Sequence, residues 1–338
     1  MSTQTLDLTY LDRWIRNYIP AFDGPLSAEK FAGGQSNPTF KLTAGDQHYV
    51  LRRKPPGKLL ASAHMVDREF RVIAALANTD VPVPKAIALC EDESVIGSMF
   101  YIMEYLEGRV LWDPVLEDLN NDQRAAHYDE MNRVLAALHN VDIAAVGLTD
   151  FGKPGNYFER QVGRWTKQYR ASETEHLSAM EQLMAWLPDN IPADDARISL
   201  VHGDYRLDNL MWHPTEPRII AVLDWELSTL GNPIADLAYQ VMAWQLPRGA
   251  GINGMAGIER APLGIPSDKH YIQRYCERTG RGEIPNWNFY MAFCFFRLAA
   301  IVQGVKKRAL DGNASSADAA SRGELVKPLA DLGLTYLN

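Results

Sequence analysis

The sequence predicts an α+β protein in which a small antiparallel sheet precedes a mainly helical second part. Strand-like runs of β-rich composition are concentrated before residue 104, and apolar stripes at helical spacing dominate after it. The 338 residues are also enough for two lobes or domains. We therefore expect two structural units that follow one another along the chain.

The amino-acid composition excludes several classes of protein. Hydrophobic residues make up 46% of the chain and charged residues 22%, which is typical of a soluble globular protein. A formal net charge of −8 argues against a general nucleic-acid-binding protein. Three widely spaced cysteines predict neither a disulfide framework nor a zinc site and favour a reducing, cytoplasmic compartment. The N-terminal residues lack a signal-peptide pattern, and the longest apolar run, Phe289 to Phe296, is too short to span a membrane.

The predicted elements follow from the spacing of apolar residues. In the first part, helices are predicted over residues 11–18 and 62–76, and strands over 39–43, 86–89 and 99–103 and from residue 49 into a basic loop. In the second part, one helical stripe runs through Met131, Val134, Leu135 and Leu138, and another through Leu177, Met180, Met184 and Leu187. Residues 286–307 predict a further long apolar helix.

The segment from Ser199 to Glu226 contains the densest group of candidate functional residues. Asp204 follows His202 by two residues, and Asn209 comes after four further residues. Asp224 ends an apolar, β-rich run that predicts a buried strand. Asp204 is placed to accept the proton of an attacking hydroxyl, and Asn209 and Asp224 offer the hard oxygen ligands that Mg²⁺ prefers. The pattern therefore indicates phosphoryl transfer, which needs positioning and charge neutralisation more than covalent chemistry.

The motif His-Gly-Asp-x-x-x-x-Asn followed by Leu-Asp-Trp-Glu resembles the aminoglycoside phosphotransferase and choline kinase superfamily. The resemblance implies a bilobal, protein-kinase-like fold, with an N-terminal lobe at residues 1–103, a hinge at 104–108 and a helical C-terminal lobe at 109–338. It also implies an ATP-dependent enzyme that uses Mg²⁺ and phosphorylates a hydroxyl of a small molecule. Glu226 is either a further metal ligand or a solvated carboxylate, and Asp236 is expected to hold the catalytic loop.

The same resemblance assigns nucleotide-binding residues to the first part of the chain. They are Gly33, Gly34, Ser36, Asn37, Arg52, Lys54, Glu69, Glu104 and Tyr105. The first four form a glycine turn that would cover the nucleotide. Arg52 stands where protein kinases have a phosphate-binding Lys, with Glu69 as its expected acidic partner; Lys54 shares its strand face if the strand continues, so either cation could hold the phosphates. Backbone groups of Glu104 and Tyr105 would meet the adenine.

The acceptor and the activity itself have alternatives. The basic segment from Arg52 to Lys58 resembles a branch of the family that also occurs fused to acyl-CoA dehydrogenases, which favours a hydroxyacyl-CoA or another small metabolite. An aminoglycoside or amino alcohol is the alternative substrate, because aromatic and acidic residues suit cations. A pseudokinase that binds nucleotide or acts as a scaffold without turnover is the alternative function, since Arg52 replaces the expected Lys. Intact Asp204, Asn209 and Asp224 argue against it.

A thermal-shift experiment tests the expected metal site. ATP with Mg²⁺ should raise the melting temperature more than ATP with EDTA, because ligand binding to the native state stabilises that state. Asp224→Ala should abolish the metal-dependent part of the increase. An unchanged metal-dependent increase in the variant would exclude Asp224 from the metal site.

Overall fold

The computed structural model describes residues 6–19, 22–31, 37–55, 64–193, 197–249, 252–312 and 323–337. They form a bilobal α+β fold, as the sequence predicts. Two clusters of buried apolar side chains correspond to the two units: a smaller one within the N-terminal sheet region and a larger one that runs through the helical part. The larger cluster also includes Val66, Ile73 and Leu76 from the first unit, so the two units share a packed boundary.

The N-terminal sheet has five antiparallel strands in the order β1-β2-β3-β5-β4. The strands are β1 (Ser27–Lys30), β2 (Thr39–Ala44), β3 (Gln47–Arg53), β4 (Ala86–Cys90) and β5 (Phe100–Glu104). Helix α1 (Leu8–Ile15) lies against this sheet, with Leu11 and Ile15 fully buried and the Trp14 ring centroid 4.9 Å from that of Phe100. Tyr18 belonged to the predicted stripe but is 52% exposed, because the helix ends before it.

Helix α2 (Val66–Leu76) lies between this sheet and the second unit. Its buried face includes Val66 and Ile73, as predicted, and also the carboxylate-bearing Glu69. Residues 56–63 lie outside the described residues, so the predicted start at residue 62 is not tested. The helix presents an acidic side chain to the interior, where a charge requires partners.

The chain passes from the sheet to the helical unit through a short segment after β5. Strand β6 (Arg109–Val110) pairs with β8 (Leu210–Trp212), and β8 pairs with β9 (Ile219–Val222). Gly108 precedes β6 and sits tightly on this ribbon: a Cβ there would lie 2.8 Å from the Trp212 carbonyl oxygen and 2.5 Å from Met211 Cγ. The connection is therefore anchored on the two strands that lie between Asn209 and Asp224 in the chain.

The second unit is mainly helical. Its helices are α3 (Asn121–His139), α4 (Tyr157–Ser172), α5 (Ser178–Asp189), α6 (Ile234–Trp244), α7 (Asp268–Thr279), α8 (Trp287–Leu310) and α9 (Val326–Leu334). Its remaining strands are β7 (Ser199–Val201), paired with β10 (Thr229–Gly231), and β11 (Arg248–Gly249), paired with β12 (Ile252–Asn253). Helix α8 is long and apolar enough to cross a membrane by length and composition, but 72% of its apolar window is buried within the protein. It packs against α4, α5, α6 and α9 as a core helix.

Two glycine substitutions should change stability in opposite directions. Gly108→Ala places a methyl group against the Trp212 carbonyl and should reduce the free energy of unfolding by about 1–3 kcal/mol. Gly163→Ala should raise it by about 0.5–1 kcal/mol, because Gly163 lies inside α4 with open space around its Cα. Urea unfolding midpoints measure both. A Gly108→Ala protein as stable as the wild type would show that the chain before β6 is packed less tightly than these contacts imply.

Candidate active site

The loop after β7 holds Asp204 and Asn209 against each other. Asn209 lies in a single 3-10 turn, Leu207–Asn209. Its Nδ2 donates to the backbone oxygen of Asp204 at 2.8 Å and to the Asp204 carboxylate oxygen Oδ2 at 2.9 Å. Both donor hydrogens of the amide are thereby used, so its Oδ1 is the atom left for other partners. The four-residue spacing of the motif closes a loop that orients the candidate base.

His202 links the loop that carries Asp204 to the segment that carries Asp224. Its buried imidazole donates from Nε2 to the Leu223 carbonyl at 2.8 Å, and Nδ1 accepts the Asp204 backbone N–H at 3.2 Å. These contacts fix a neutral tautomer with the proton on Nε2. Leu223 N–H in turn donates to the Asn209 carbonyl at 2.8 Å. The histidine therefore holds the catalytic loop in register with the segment that carries Asp224.

Asp236 fixes the same loop through its backbone, as the sequence indicated. Its fully buried carboxylate accepts the His202 N–H at 2.6 Å on Oδ2 and the Gly203 N–H at 2.8 Å on Oδ1. His139 Nε2 lies 3.3 Å from Oδ2. Burial raises the pKa of Asp236, but the contact with His139 and the backbone hydrogen bond from Gly203 outweigh burial and hold it below the usual value.

Gly203 is required at its position by both conformation and space. Its φ is +84°, which lies in a region that residues other than glycine rarely adopt. A Cβ there would also lie 2.7 Å from the Leu227 carbonyl oxygen. The loop therefore has no room for the arginine that protein kinases carry between the His and the Asp.

Asp224 has a strained backbone at the end of β9. Its φ and ψ are both 63°, in the left-handed region, directly before the 3-10 turn Trp225–Leu227. Such conformations persist where the surroundings enforce them, and they cluster at functional sites. Its side chain remains 36% exposed. Burial raises the pKa of Glu69, and the charges of Asp224 and Glu226 add to this increase.

Arg52 bridges the two lobes. Its Nε lies 2.8 Å from Glu69 Oε2, which gives the ion pair expected from the sequence. The Nε–H is not directed at that oxygen, so the contact is ionic and not a well-formed hydrogen bond. Its Nη2 donates to Asp224 Oδ1 at 2.5 Å. One guanidinium on β3 therefore contacts a carboxylate from α2 and the candidate metal ligand after β9.

Glu69 is almost completely buried and is held by three partners. Besides Arg52, the Asn37 amide donates to Oε1 at 2.6 Å and the Tyr101 hydroxyl donates to Oε2 at 3.2 Å. Burial raises the pKa of Glu69 to about 7, although Arg52 and Asn37 both act to lower it. Asn37, one of the residues predicted to bind the nucleotide, is almost fully buried, and its Oδ1 contacts His64 Nδ1 at 3.0 Å.

Among the other residues predicted to bind the nucleotide, the structure describes the surroundings of Lys54, Glu104 and Tyr105. Lys54 follows β3 and is half-buried, and no ion pair in the described part of the chain includes its ammonium group. Glu104 N–H donates to the Lys85 carbonyl at 2.9 Å. A backbone hydrogen bond to adenine would therefore have to come from the Glu104 carbonyl or from the backbone of Tyr105. The Tyr105 ring centroid lies 4.4 Å from Lys41 Nζ. Gly33, Gly34 and Ser36 lie outside the described residues.

The structure adds residues that sequence reasoning did not assign. Arg206, within the catalytic loop, donates from Nη2 to Asp208 Oδ2 at 2.5 Å, and its Nε lies 3.6 Å from Asp204 Oδ1. Burial raises the pKa of Asp208. Arg297, from α8, donates to the Gly203 carbonyl. In the sequence, Arg206 and Asp208 could have been recognised because they lie inside the His-Gly-Asp-x-x-x-x-Asn motif. Arg297 could have been recognised only as a charged residue at the end of an apolar run.

Comparisons with known proteins identify the family. The model of the "Phosphotransferase enzyme family" (APH) matches residues 27–271. The chain belongs to this family. Among solved structures, a provisional aminoglycoside phosphotransferase from Ralstonia eutropha is 55% identical, with a TM-score of 0.90 over 98% of both chains. APH(4)-Ia in complex with ADP and hygromycin B is 16% identical, with a TM-score of 0.61 over 97% of this chain and 99% of that one, a likeness of fold alone. The kinase-like fold class is thereby confirmed.

Curated relatives of this phosphotransferase are longer than the chain. Acyl-CoA dehydrogenase family member 10 from Mus musculus is 49% identical over 336 residues, which cover 99% of this chain and 31% of the relative. Family member 11 from Rattus norvegicus is 44% identical over 333 residues, which cover 97% of this chain and 43% of the relative. The chain therefore spans less than half the length of these relatives, and the resemblance to the branch linked to acyl-CoA dehydrogenases is confirmed.

A comparison of two cations tests which one holds the nucleotide phosphates. Arg52→Ala should weaken ATP binding by about 10- to 100-fold, the effect of losing charge-assisted hydrogen bonds, while adenosine binding stays nearly unchanged. Lys54→Ala is the matched control and should bind ATP normally. Isothermal titration measures each affinity. Equal losses for ATP and adenosine would indicate misfolding, and a loss confined to Lys54→Ala would assign the phosphates to Lys54.

Proposed function

We propose that this protein is an ATP-dependent phosphotransferase that moves the γ-phosphoryl group of ATP to a hydroxyl of a small molecule. The observation that carries this proposal is the convergence of Asp204, Asn209 and Asp224 with the Arg52–Glu69 pair. Asn209 contacts Asp204, and Arg52 contacts both Glu69 and Asp224. The two groups are linked through the backbone, because the N–H of Leu223, next to Asp224, donates to the Asn209 carbonyl. The boundaries of the lobes at residues 1–103 and 109–338, with a hinge at 104–108, are part of the proposal.

The proposed metal ligands fit Mg²⁺ chemically. Asp224 keeps one carboxylate oxygen free of Arg52, and Asn209 keeps its amide oxygen because its nitrogen is bonded to Asp204. Both are hard oxygen donors, and Glu226 could add a third or hold a metal-bound water. Bound there, Mg²⁺ would neutralise charge on the phosphate oxygens.

The proposed roles of the remaining groups follow from their contacts. Glu69 anchors the Arg52 guanidinium, whose remaining N–H groups can donate to phosphate oxygens. Asn209 bonds to Oδ2 of Asp204 and Arg206 Nε lies 3.6 Å from Oδ1, so the acceptor hydroxyl would approach a carboxylate that both neighbours orient. As the acceptor oxygen forms its bond to the γ-phosphorus and the bond to ADP breaks, the hydroxyl proton moves to Asp204.

The finer proposal is that the acceptor is a hydroxyacyl-CoA or a related hydroxylated metabolite. The names of the curated relatives support an acyl substrate. A cleft of about 620 Å³ between α4 and α5 also supports it, because its walls are mostly apolar. The apolar walls include Phe158, Val162, Met184, Ile191, Pro192 and Tyr290. Of the described residues that line it, Glu159 alone carries a carboxylate, which suits an acyl group better than a polycationic aminoglycoside.

The cleft is connected to the catalytic loop through the paired strands β10 and β7. Tyr157, at the start of α4, packs directly against Gly231 of β10. Strand β10 pairs with β7, which leads into His202 and Asp204. A neighbouring groove along α4 carries Arg160, Arg164 and Lys167, which suit anionic groups on the acceptor.

A pseudokinase remains the second candidate, favoured by one contact. Arg52 donates to Asp224, so a candidate metal ligand is already engaged by a cation. In a pseudokinase this contact would persist with nucleotide bound, and no phosphorylated product would form. Turnover therefore separates the two functions.

Replacing the proposed base tests the enzyme directly. Asp204→Asn keeps the side-chain shape and removes the charge, so kcat should fall by about 10²–10⁴-fold while the affinity for Mg-ATP stays close to that of the wild type. Asp208→Asn in the same loop is the matched control and should retain kcat within a few-fold, because its carboxylate is directed at Arg206.

The acceptor is first found by incubating the protein with ATP and a metabolite pool that includes hydroxyacyl-CoA esters and aminoglycosides, with mass spectrometry of phosphorylated products. Equal turnover by wild type and Asp204→Asn would exclude Asp204 as the base. A wild-type protein that binds Mg-ATP and phosphorylates nothing in the pool would favour the pseudokinase.

A further inference from the structure

Helix α8 carries a buried arginine in an otherwise apolar stretch. Arg297 is 6% exposed and follows Phe295 and Phe296, which are fully buried. Among the described residues, no carboxylate forms an ion pair with its guanidinium. Burying a cation without such a partner is unfavourable unless other groups compensate. Its position in the core therefore requires an explanation beyond helix packing.

The contacts of this guanidinium lead to the catalytic loop. Nη2 donates to the Gly203 carbonyl at 2.5 Å, the one hydrogen bond that the described residues give to this side chain. The guanidinium carbon lies 5.6 Å from the Trp165 ring centroid and 5.1 Å from that of Tyr239, within the range of cation–π attraction. The aromatic rings thus stabilise the charge, and the hydrogen bond directs it at the residue before Asp204.

Gly203 is consequently held from two helices, one through its N–H and the other through its carbonyl. Its N–H donates to Asp236 on α6, and its carbonyl accepts from Arg297 on α8. Because glycine has few steric restrictions, the peptide group between Gly203 and Asp204 could rotate if the Arg297 contact with its carbonyl were lost. Rotation would turn the backbone of Asp204, whose N–H is bonded to His202.

A second route connects Arg297 to the same carboxylate. Tyr239, whose ring lies under the guanidinium, has its pKa raised by burial and also by the adjacent Asp204 carboxylate, whereas Arg297 acts to lower it. The Arg297 guanidinium therefore packs on the Tyr239 ring. Loss of the guanidinium would free the tyrosine ring as well as the Gly203 carbonyl.

We propose that Arg297 is a positioning residue, which fixes the direction of the Asp204 carboxylate by holding the Gly203 carbonyl and the Tyr239 ring. This inference rests on the proposed function, in which Asp204 is the base. Arg297 acts through its neighbours and has no assigned contact with the reacting atoms. A methionine would fill similar space without a buried charge, so packing alone does not explain a guanidinium here.

The test uses Arg297→Lys and Arg297→Met, with Arg124→Met as the matched control. Arg124 is also buried, at 8% exposure, and donates to the backbone carbonyls of Val115 and Leu116, away from the catalytic loop. In Arg297→Met, kcat should fall by about 10- to 100-fold, the effect of a small misplacement, with the Kd of Mg-ATP within about two-fold of wild type. Arg297→Lys should lose less, because an ammonium can still donate. Arg124→Met should lower the melting temperature and leave kcat nearly unchanged.

Hydrogen exchange gives a readout that does not require turnover. Mass spectrometry of the peptide containing residues 202–209 should show about ten-fold faster exchange in Arg297→Met and wild-type exchange in Arg124→Met. A folded Arg297→Met protein with wild-type kcat would overturn the positioning role and leave the phosphotransferase proposal intact. A wild type that phosphorylates no acceptor in the pool would instead favour the pseudokinase, and unchanged exchange in Arg297→Met would then refute the structural part of the inference. If Arg297→Met does not fold, both kcat and the hydrogen exchange of residues 202–209 are measured on Arg297→Lys instead.

Discussion

The buried carboxylate of Asp236 is the interaction on which the candidate site depends. It accepts the backbone N–H groups of His202 and Gly203, and His139 lies against it. An ionised group in the interior has a strong preference for the geometry that satisfies it, because leaving it unpaired is unfavourable. The loop cannot move without breaking these bonds. Asp204 and Asn209, at the exposed end of the same loop, take their positions from it.

The link between the lobes depends on a different property, the shape of arginine. A guanidinium has separate donors in a fixed plane, so Arg52 can face Glu69 with one edge and Asp224 with another. An ammonium group is a single point charge and would hold the two carboxylates less specifically. The replacement of the usual lysine is therefore compatible with a working site, and it couples α2 to the segment that carries the candidate metal ligand.

The spacing of apolar residues predicted several of the helices and strands, but it did not predict every helix or the polar contacts between elements. The strands around residues 39–43 and 99–103 and the stripes of α3 and α5 are found, because a buried face must be apolar whatever it packs against. Helix α4 was missed although Phe158, Val162, Trp165 and Tyr169 give it an apolar stripe. Apolar spacing did not reveal that the Asn37 side chain donates to the buried Glu69 carboxylate, because the two residues lie 32 positions apart.

The sequence by itself determined the chemical types at the site and their local spacing. The distance from Asp204 to Asn209 along the chain sets the loop that their hydrogen bonds close, and a single strand delivers Asp224. Only the tertiary structure decided which distant partners complete the site. Arg52 meets Asp224 from 172 residues away, and Arg297 reaches Gly203 from 94 residues away. Such contacts arise from the packing of separate elements, and periodicity along one element carries no information about them.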